Sequence, residues 1–170
     1  MAEVRFEKDY FSEYPQQIRV GNNRSAVSYT RQPGYYAIHD NQFGTAAPKA
    51  ILQLNGGAIA VFAGEPNQSQ KNTSSPIYTL EPLGSPAVPT GLVFIRFAEG
   101  VNVESQLQAI NQAGYAIEQT LPYAPHTAWL RHQSGNIANA IAGISQLEAI
   151  PNVESVEPQM LMERSFKLKR

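Results

Sequence analysis

Between residues 91 and 157 the apolar residues switch repeatedly between the two-residue period of a strand and the three-to-four-residue period of a helix. The first predicted strand is the apolar run Leu92–Phe97, and the last is the alternating segment Val153–Glu157. Two more strands are predicted between them, at residues 115–121 and 127–131, joined by a corner that contains prolines. The predicted order is strand, helix, strand, strand, helix, strand.

The two predicted helices have clear boundaries. In the first, Val103, Leu107 and Ile110 are spaced four and three residues apart, as on one face of a helix. Asn102 precedes this face as an N-cap, and Gly114 follows it as a stop. The second helix has a similar face, formed by Ile137, Ile141, Ile144 and then Leu147 or Glu148. It ends before Pro151, because proline cannot continue the hydrogen-bond ladder.

This order of elements constrains the fold. Right-handed crossovers place both helices on one face of a four-stranded antiparallel sheet. We therefore predict an α+β fold, with a ferredoxin-like βαββαβ domain at residues 90–160. The other sheet face has no helix to cover it, so we expect the rest of the chain or a partner to cover it. Trp129, on the third strand of this set, is predicted as either a core residue or an interface anchor.

The first half of the chain, residues 1–89, has strand periodicity and no helical face, so we predict a β-rich region of short strands. Its clearest signal is a hairpin at Asn55-Gly56, the pair that best tolerates positive φ in a tight turn. Residues 66–76 contain no apolar residue other than proline and are predicted to be a surface loop. Prolines and glycines between residues 82 and 91 predict a boundary near Thr90, and residues 161–170 are predicted to be a C-terminal tail.

The composition excludes several classes of function. Thirteen basic residues against fourteen acidic ones leave no excess charge for nucleic acid. The absence of cysteine rules out disulfides and thiolate ligands. No apolar run is long enough to span a membrane, and the N-terminus has no signal-peptide pattern. We therefore expect no membrane partner and, by default, a cytoplasmic chain.

The candidates for catalysis are few. His39 and Asp40 are adjacent in sequence, but successive strand residues point to opposite faces. Asp40 is therefore poorly placed to orient His39 as a catalytic base. Ser74-Ser75 lies in the predicted loop without the glycines of a nucleophile elbow. We predict no catalytic residue, no metal site and no cofactor, and hence no enzyme.

Three segments resemble the prodomains of subtilisin-like serine proteases. They are Gly91–Phe97 with Glu99-Gly100, the corner at residues 121–125, and the closing stretch at residues 149–158. The closing stretch is the most specific, because a Pro-Asn turn after a helix leads into Val, Glu, any residue, Val, Glu. The resemblance covers residues 88–160 and includes no catalytic domain.

The resemblance implies a protein that binds a subtilisin-like protease, as inhibitor, folding chaperone or both. Its open sheet face would dock on the protease, and its C-terminal tail would lie in the cleft as a substrate-like strand. The residues implied in binding are two carboxylates for helix N-termini and four pocket fillers: Glu154, Glu157, Met160, Leu161, Met162 and Phe166.

Two further questions stay open from the sequence. The chain could act on a protease in trans or belong in cis to a longer precursor; Met1 and the missing signal pattern favour a separate protein. The alternative function is a ferredoxin-like regulatory or oligomerisation module, whose open face forms a homodimer.

Overall fold

The computed structural model describes residues 10–21, 27–40, 50–82 and 84–163. The described residues form one antiparallel sheet of nine strands that curls into half a barrel. The strands are β1 Gln17–Val20, β2 Val27–Ile38, β3 Leu52–Leu54, β4 Ile59–Ala63, β5 Ser74–Glu81, β6 Ser85–Phe97, β7 Tyr115–Thr120, β8 Thr127–His132 and β9 Val153–Met162.

The helices are short. A 3₁₀ turn, Val103–Gln106, leads into α1, Leu107–Gln112. The second helical segment consists of α2, Ile137–Ala142, and α3, Ile144–Glu148, which a single glycine separates. In the described parts of the chain, no helix has the length and apolar character needed to cross a membrane.

Strand β6 joins the two halves of the chain. Along one edge it pairs with β9. Along its other edge, residues 85–87 pair with β5 and residues 92–96 pair with β8. Through β5 the sheet continues to β2, β4 and β3. Among the described strands, β9 pairs only with β6, so β9 is an edge strand.

The prediction of a ferredoxin-like domain with a four-stranded sheet and two helices is wrong, because the sheet has nine strands and does not stop at residue 90. The predicted boundary near Thr90 lies inside β6. The prolines there do not end the strand, since the β6–β9 register shifts between Pro89 and Val93 and absorbs the irregularity. Gly91, at φ +96°, takes the conformation that this bulge requires.

Two details of the first half also differ from expectation. Its strands are not all short, because β2 has 12 residues and β5 has 8. The predicted loop ends early: Ser74, Ser75 and Pro76 begin β5 and are buried. The hairpin at Asn55-Gly56 is present, with Leu54 opposite Ile59, and four residues, 55–58, connect its strands.

Three clusters of apolar side chains form the core. The first lies between the helices and one face of β6, β8 and β9, and includes Val93, Ile95 and Phe97. The second belongs to the first half and includes Ala37, Leu54, Ile59, Val61 and Ile77, together with Val88 of β6. The third joins Ile18 and Tyr78 to Ile141 of α2. Residues on both sides of position 90 therefore share cores.

The residue between α2 and α3 must be glycine for a steric reason. Tyr115 is completely buried, and its hydroxyl donates a hydrogen bond to the carbonyl oxygen of Ala140. A Cβ on Gly143 would lie 2.6 Å from the Tyr115 hydroxyl oxygen and 3.2 Å from its ring. Glycine is required at this position because the tyrosine occupies the space that a side chain would take.

We predict that Gly143→Ala destabilises the fold by about 1–3 kcal/mol, the usual cost of inserting a methyl group into a packed core. Chemical denaturation measures the loss. In a Tyr115→Phe background, which removes the nearest atom, we expect the same substitution to cost less. An equal cost in both backgrounds would show that the hydroxyl contact is not its cause.

Candidate functional site

The sheet carries an aromatic pair on the face opposite the helices. Because side chains alternate along a strand, Val93 and Ile95 of β6 point toward the helices and Phe94 points away. Phe94 lies opposite Trp129 of β8 and, on its other side, opposite Glu157 of β9. The two rings form an edge-to-face pair, with centroids 4.9 Å apart and an interplanar angle of 61°.

Charged side chains surround the pair. The guanidinium carbon of Arg96 lies 5.8 Å from the centroid of the Phe94 ring, within the range of a cation–π contact. Arg131, two residues beyond Trp129, pairs with Glu118 of β7 at 2.9 Å, and both side chains are about half exposed. We call Phe94, Arg96, Trp129, Arg131 and Glu157 the aromatic face.

Phe94 and Trp129 are partly exposed, and neither belongs to the three core clusters of the described residues. The sequence left Trp129 as either core or anchor, and the structure places it outside the core. Two large aromatic rings flanked by arginines have the composition that is enriched in protein interfaces. The face is therefore suited to bind another protein surface.

The two carboxylates predicted for binding both lie on β9, and the β6–β9 register shifts beside Glu154. Glu154 is exposed. Glu157 is half-buried. Burial of Tyr29 raises the pKa of its hydroxyl, and the negative charge of Glu157 raises that pKa further. Glu157 therefore lies at the aromatic face and also near β2 of the first half.

The structure places the predicted pocket fillers differently. Met160, Leu161 and Met162 form the end of β9 and pair with Pro89, Val88 and Ala87 of β6, so they are part of the sheet. Phe166 lies outside the described residues.

The structure reveals a pair that the sequence prediction missed. The Nε2 of His39 lies 2.9 Å from the Oγ of Ser75, and this serine hydroxyl also donates to the carbonyl oxygen of Pro76. Ser75 is completely buried, so its oxygen is out of reach of a substrate. The pair satisfies polar groups inside the fold. The sequence does not indicate this pair, because Ser75 is predicted to lie in a loop and the two partners are 36 positions apart.

The other chemical candidates in the described chain are weak. A cavity of about 630 Å³ lies beside His39, between Tyr14, Asn136 and Leu92. Within the described residues, no group of three His, Asp or Glu side chains is placed to hold a metal ion. The aromatic face is therefore the better candidate for function.

No protein-family model matches the chain, and neither a curated protein nor a solved structure matches it significantly.

Burial lowers the pKa of His39 from its usual 6.5 to about 4, against the opposing charge of Asp40. Between pH 4 and pH 6.5, His39 binds a proton in the unfolded chain but not in the folded chain. The stability that comes from keeping the ring neutral is present above pH 6.5 and is lost as the pH falls toward 4. Over this range we expect a loss of up to roughly 3 kcal/mol.

Denaturation at several pH values between 4 and 7 measures this slope. His39→Gln has no proton to bind in this range, so we expect it to flatten the pH dependence. Ser75→Ala keeps the buried imidazole and is expected to retain the slope, because burial is the main cause of the shift. A slope that survives in His39→Gln would assign the effect to another group.

Proposed function

We propose that this chain is a prodomain-like protein that binds a subtilisin-like serine protease and acts as its inhibitor, its folding chaperone, or both. The observation that carries the proposal is the partly exposed Phe94–Trp129 pair, on a sheet face that no described core cluster covers. A few residues carry most of the binding energy in a protein interface, and tryptophan, tyrosine and arginine are enriched among them. Arg96 and Arg131 extend this surface with charge.

The closing stretch at residues 149–158 supports the same partner. Residues 153–157 resemble the end of subtilisin-like prodomains, and in this chain they form the part of β9 next to the aromatic face. Helix N-termini carry partial positive charge and favour carboxylates. We assign Glu154 and Glu157 to contacts with helix N-termini on the protease surface.

The peptide that enters the protease cleft follows β9 in this proposal. An extended peptide can pair with the strands that line a protease cleft, and alternate side chains fill its pockets. Phe166 remains the predicted pocket filler. The chain itself has no catalytic role, metal or cofactor in this scheme.

Inhibition and chaperoning follow from one complex. A protein that binds only the folded protease shifts the folding equilibrium of the protease toward that state. The same complex blocks the cleft while the peptide occupies it. The two activities differ in whether the peptide is later cleaved and released.

We predict that Trp129→Ala and Phe94→Ala each weaken binding to subtilisin by roughly 30-fold or more, because truncating a central interface aromatic costs about 2 kcal/mol or more. A subtilisin variant whose nucleophilic serine is replaced by alanine permits calorimetric titration without cleavage. Peptide hydrolysis by the active enzyme gives the inhibition constant in parallel.

Tyr35→Ala is the control, since Tyr35 is an exposed aromatic on β2, away from the aromatic face. We expect it to bind like the wild-type chain. Circular dichroism checks that all three variants fold. If the wild-type chain neither inhibits nor assists the refolding of any protease in a panel of subtilisin-like enzymes, the proposal is wrong.

A second copy of the chain is the competing occupant of the aromatic face. Sedimentation of the free wild-type chain separates the two cases. A stable dimer that dissociates in Trp129→Ala would assign the face to self-association. A monomer that associates only with the protease supports the proposal.

A further inference from the structure

The cavity of about 630 Å³ beside His39 lies where the two halves of the chain meet. On one side its walls come from the turn at residues 10–14, the end of β2 and the β3–β4 hairpin, and on the other side from β6, β9 and the start of α2. The volume falls within the range of small-molecule sites, which form preferentially between domains. None of the residues of the aromatic face is in the described lining, so the cavity is a separate site.

The lining carries negative charge. The carboxylates of Glu13 and Asp40 are exposed, and no lysine or arginine stands among the described residues that line the cavity. Both charges act on neighbouring groups of the lining. Burial raises the pKa of Tyr14 and the charge of Glu13 raises it further, while the charge of Asp40 partly offsets the lowering of the His39 pKa by burial. A cleft lined by one sign of charge favours a ligand of the opposite sign.

His39 adds a neutral acceptor to this lining. Since the Ser75 hydroxyl donates its hydrogen to the carbonyl oxygen of Pro76, the Nε2 of His39 donates to Ser75. The Nδ1 of His39 is then unprotonated, and it forms no hydrogen bond to a described residue. One ring nitrogen and two carboxylates therefore offer acceptors to a ligand with several N–H donors.

Three aromatic rings come from the turn at residues 10–14. Phe11 and Tyr14 meet edge to face, with ring centroids 5.7 Å apart, and Tyr10 also lines the cavity. Arg31 donates hydrogen bonds to the carbonyl oxygens of Phe11 and Tyr14, and so holds the turn against β2. The rings are therefore ordered before a ligand binds, which reduces the cost of binding. Aromatic faces attract cations, and guanidinium groups stack on them.

Part of the lining is apolar. Ile59 of β4 and Leu161 of β9 line the cavity and belong to the packing of the second core cluster, and Leu92 of β6 lines it as well. A hydrocarbon chain that lies against these side chains is removed from water. The ligand that matches the whole lining has a cationic head with several donors and a hydrocarbon stem.

We propose that the cavity binds a guanidinium group on a hydrocarbon stem, as in an arginine side chain. The guanidinium has five N–H donors, which Glu13, Asp40 and the Nδ1 of His39 accept, and its planar faces stack on the rings of the turn. The ammonium of lysine has three donors and no planar face, so it matches fewer of these groups. The guanidinium belongs either to a free small molecule or to an arginine residue of a peptide.

Calorimetric titration of the full chain with three probes of similar shape tests the proposal. Nα-acetylarginine amide carries the guanidinium, Nα-acetylcitrulline amide replaces it with an uncharged urea, and Nα-acetyllysine amide replaces it with an ammonium. We expect the arginine probe to bind roughly tenfold or more tightly than the other two, the scale of a hydrogen bond to a charged group. Equal binding of the citrulline probe, or no binding of the arginine probe at millimolar concentration, would overturn the proposal.

Glu13→Gln and Asp40→Asn each remove one charge at an exposed position, which leaves the fold intact. We expect each to weaken binding of the arginine probe by roughly fivefold, the upper end for an ion pair at an exposed position. Glu99→Gln is the matched control, because Glu99 is an exposed carboxylate beyond the end of β6 and outside the described lining. A similar loss in Glu99→Gln would show that the probe responds only to overall charge and would contradict a site.

Amide NMR spectra locate the bound probe. We expect shifts in the turn at residues 10–14, at His39 and at Thr90, which also lines the cavity. Shifts confined to Phe94 and Trp129 would place the cation on the aromatic face and sink the proposal.

Two further probes separate the sources of the guanidinium. Agmatine that binds more tightly than acetyl-Ala-Arg-Ala-amide indicates a free small molecule, and the reverse order indicates a peptide. Because the cavity and the aromatic face consist of different residues, these results do not depend on whether the chain binds a protease.

Discussion

The fold depends on one strand that both halves of the chain share. Strand β6 pairs with β5 near its start, with β8 near its end, and with β9 along its length. The second core cluster takes Val88 from its first part, and the first cluster takes Val93 and Ile95 from its second part. Because neither core is complete without β6, the two halves support each other through its pairing.

The sequence predicts local elements better than it predicts where the sheet ends. Strands at 92–97, 115–121, 127–131 and 153–157 correspond to β6–β9, because clear periodicity and capping residues mark them. The boundary near Thr90 relied on prolines and a glycine, which signal a turn and a bulge equally well. Pairing between β5 and β6, or between β9 and residues 87–89, leaves no periodic trace in either segment.

The candidate site shows the same limit. The sequence indicates an uncovered face and names Trp129, but Phe94 appears in it only as part of an apolar run. Its exposure follows from the pairing register, which turns even-numbered residues of this part of β6 away from the helices. Likewise, only the tertiary fold explains why Met160 and Leu161 are apolar: they pack against clusters formed mainly by residues of the first half of the chain.

The free edge of β9 has a consequence for the behaviour of the chain at high concentration. Within the described residues no strand pairs with the outer edge of this ten-residue strand, and such an edge is a template on which other chains can add strands and form aggregates. Pro158 interrupts this edge in its middle, since proline offers no N–H to an added strand, and the exposed carboxylate of Glu154 places charge near one end. Pro158 and Glu154 thus protect this edge against fibril-like stacking.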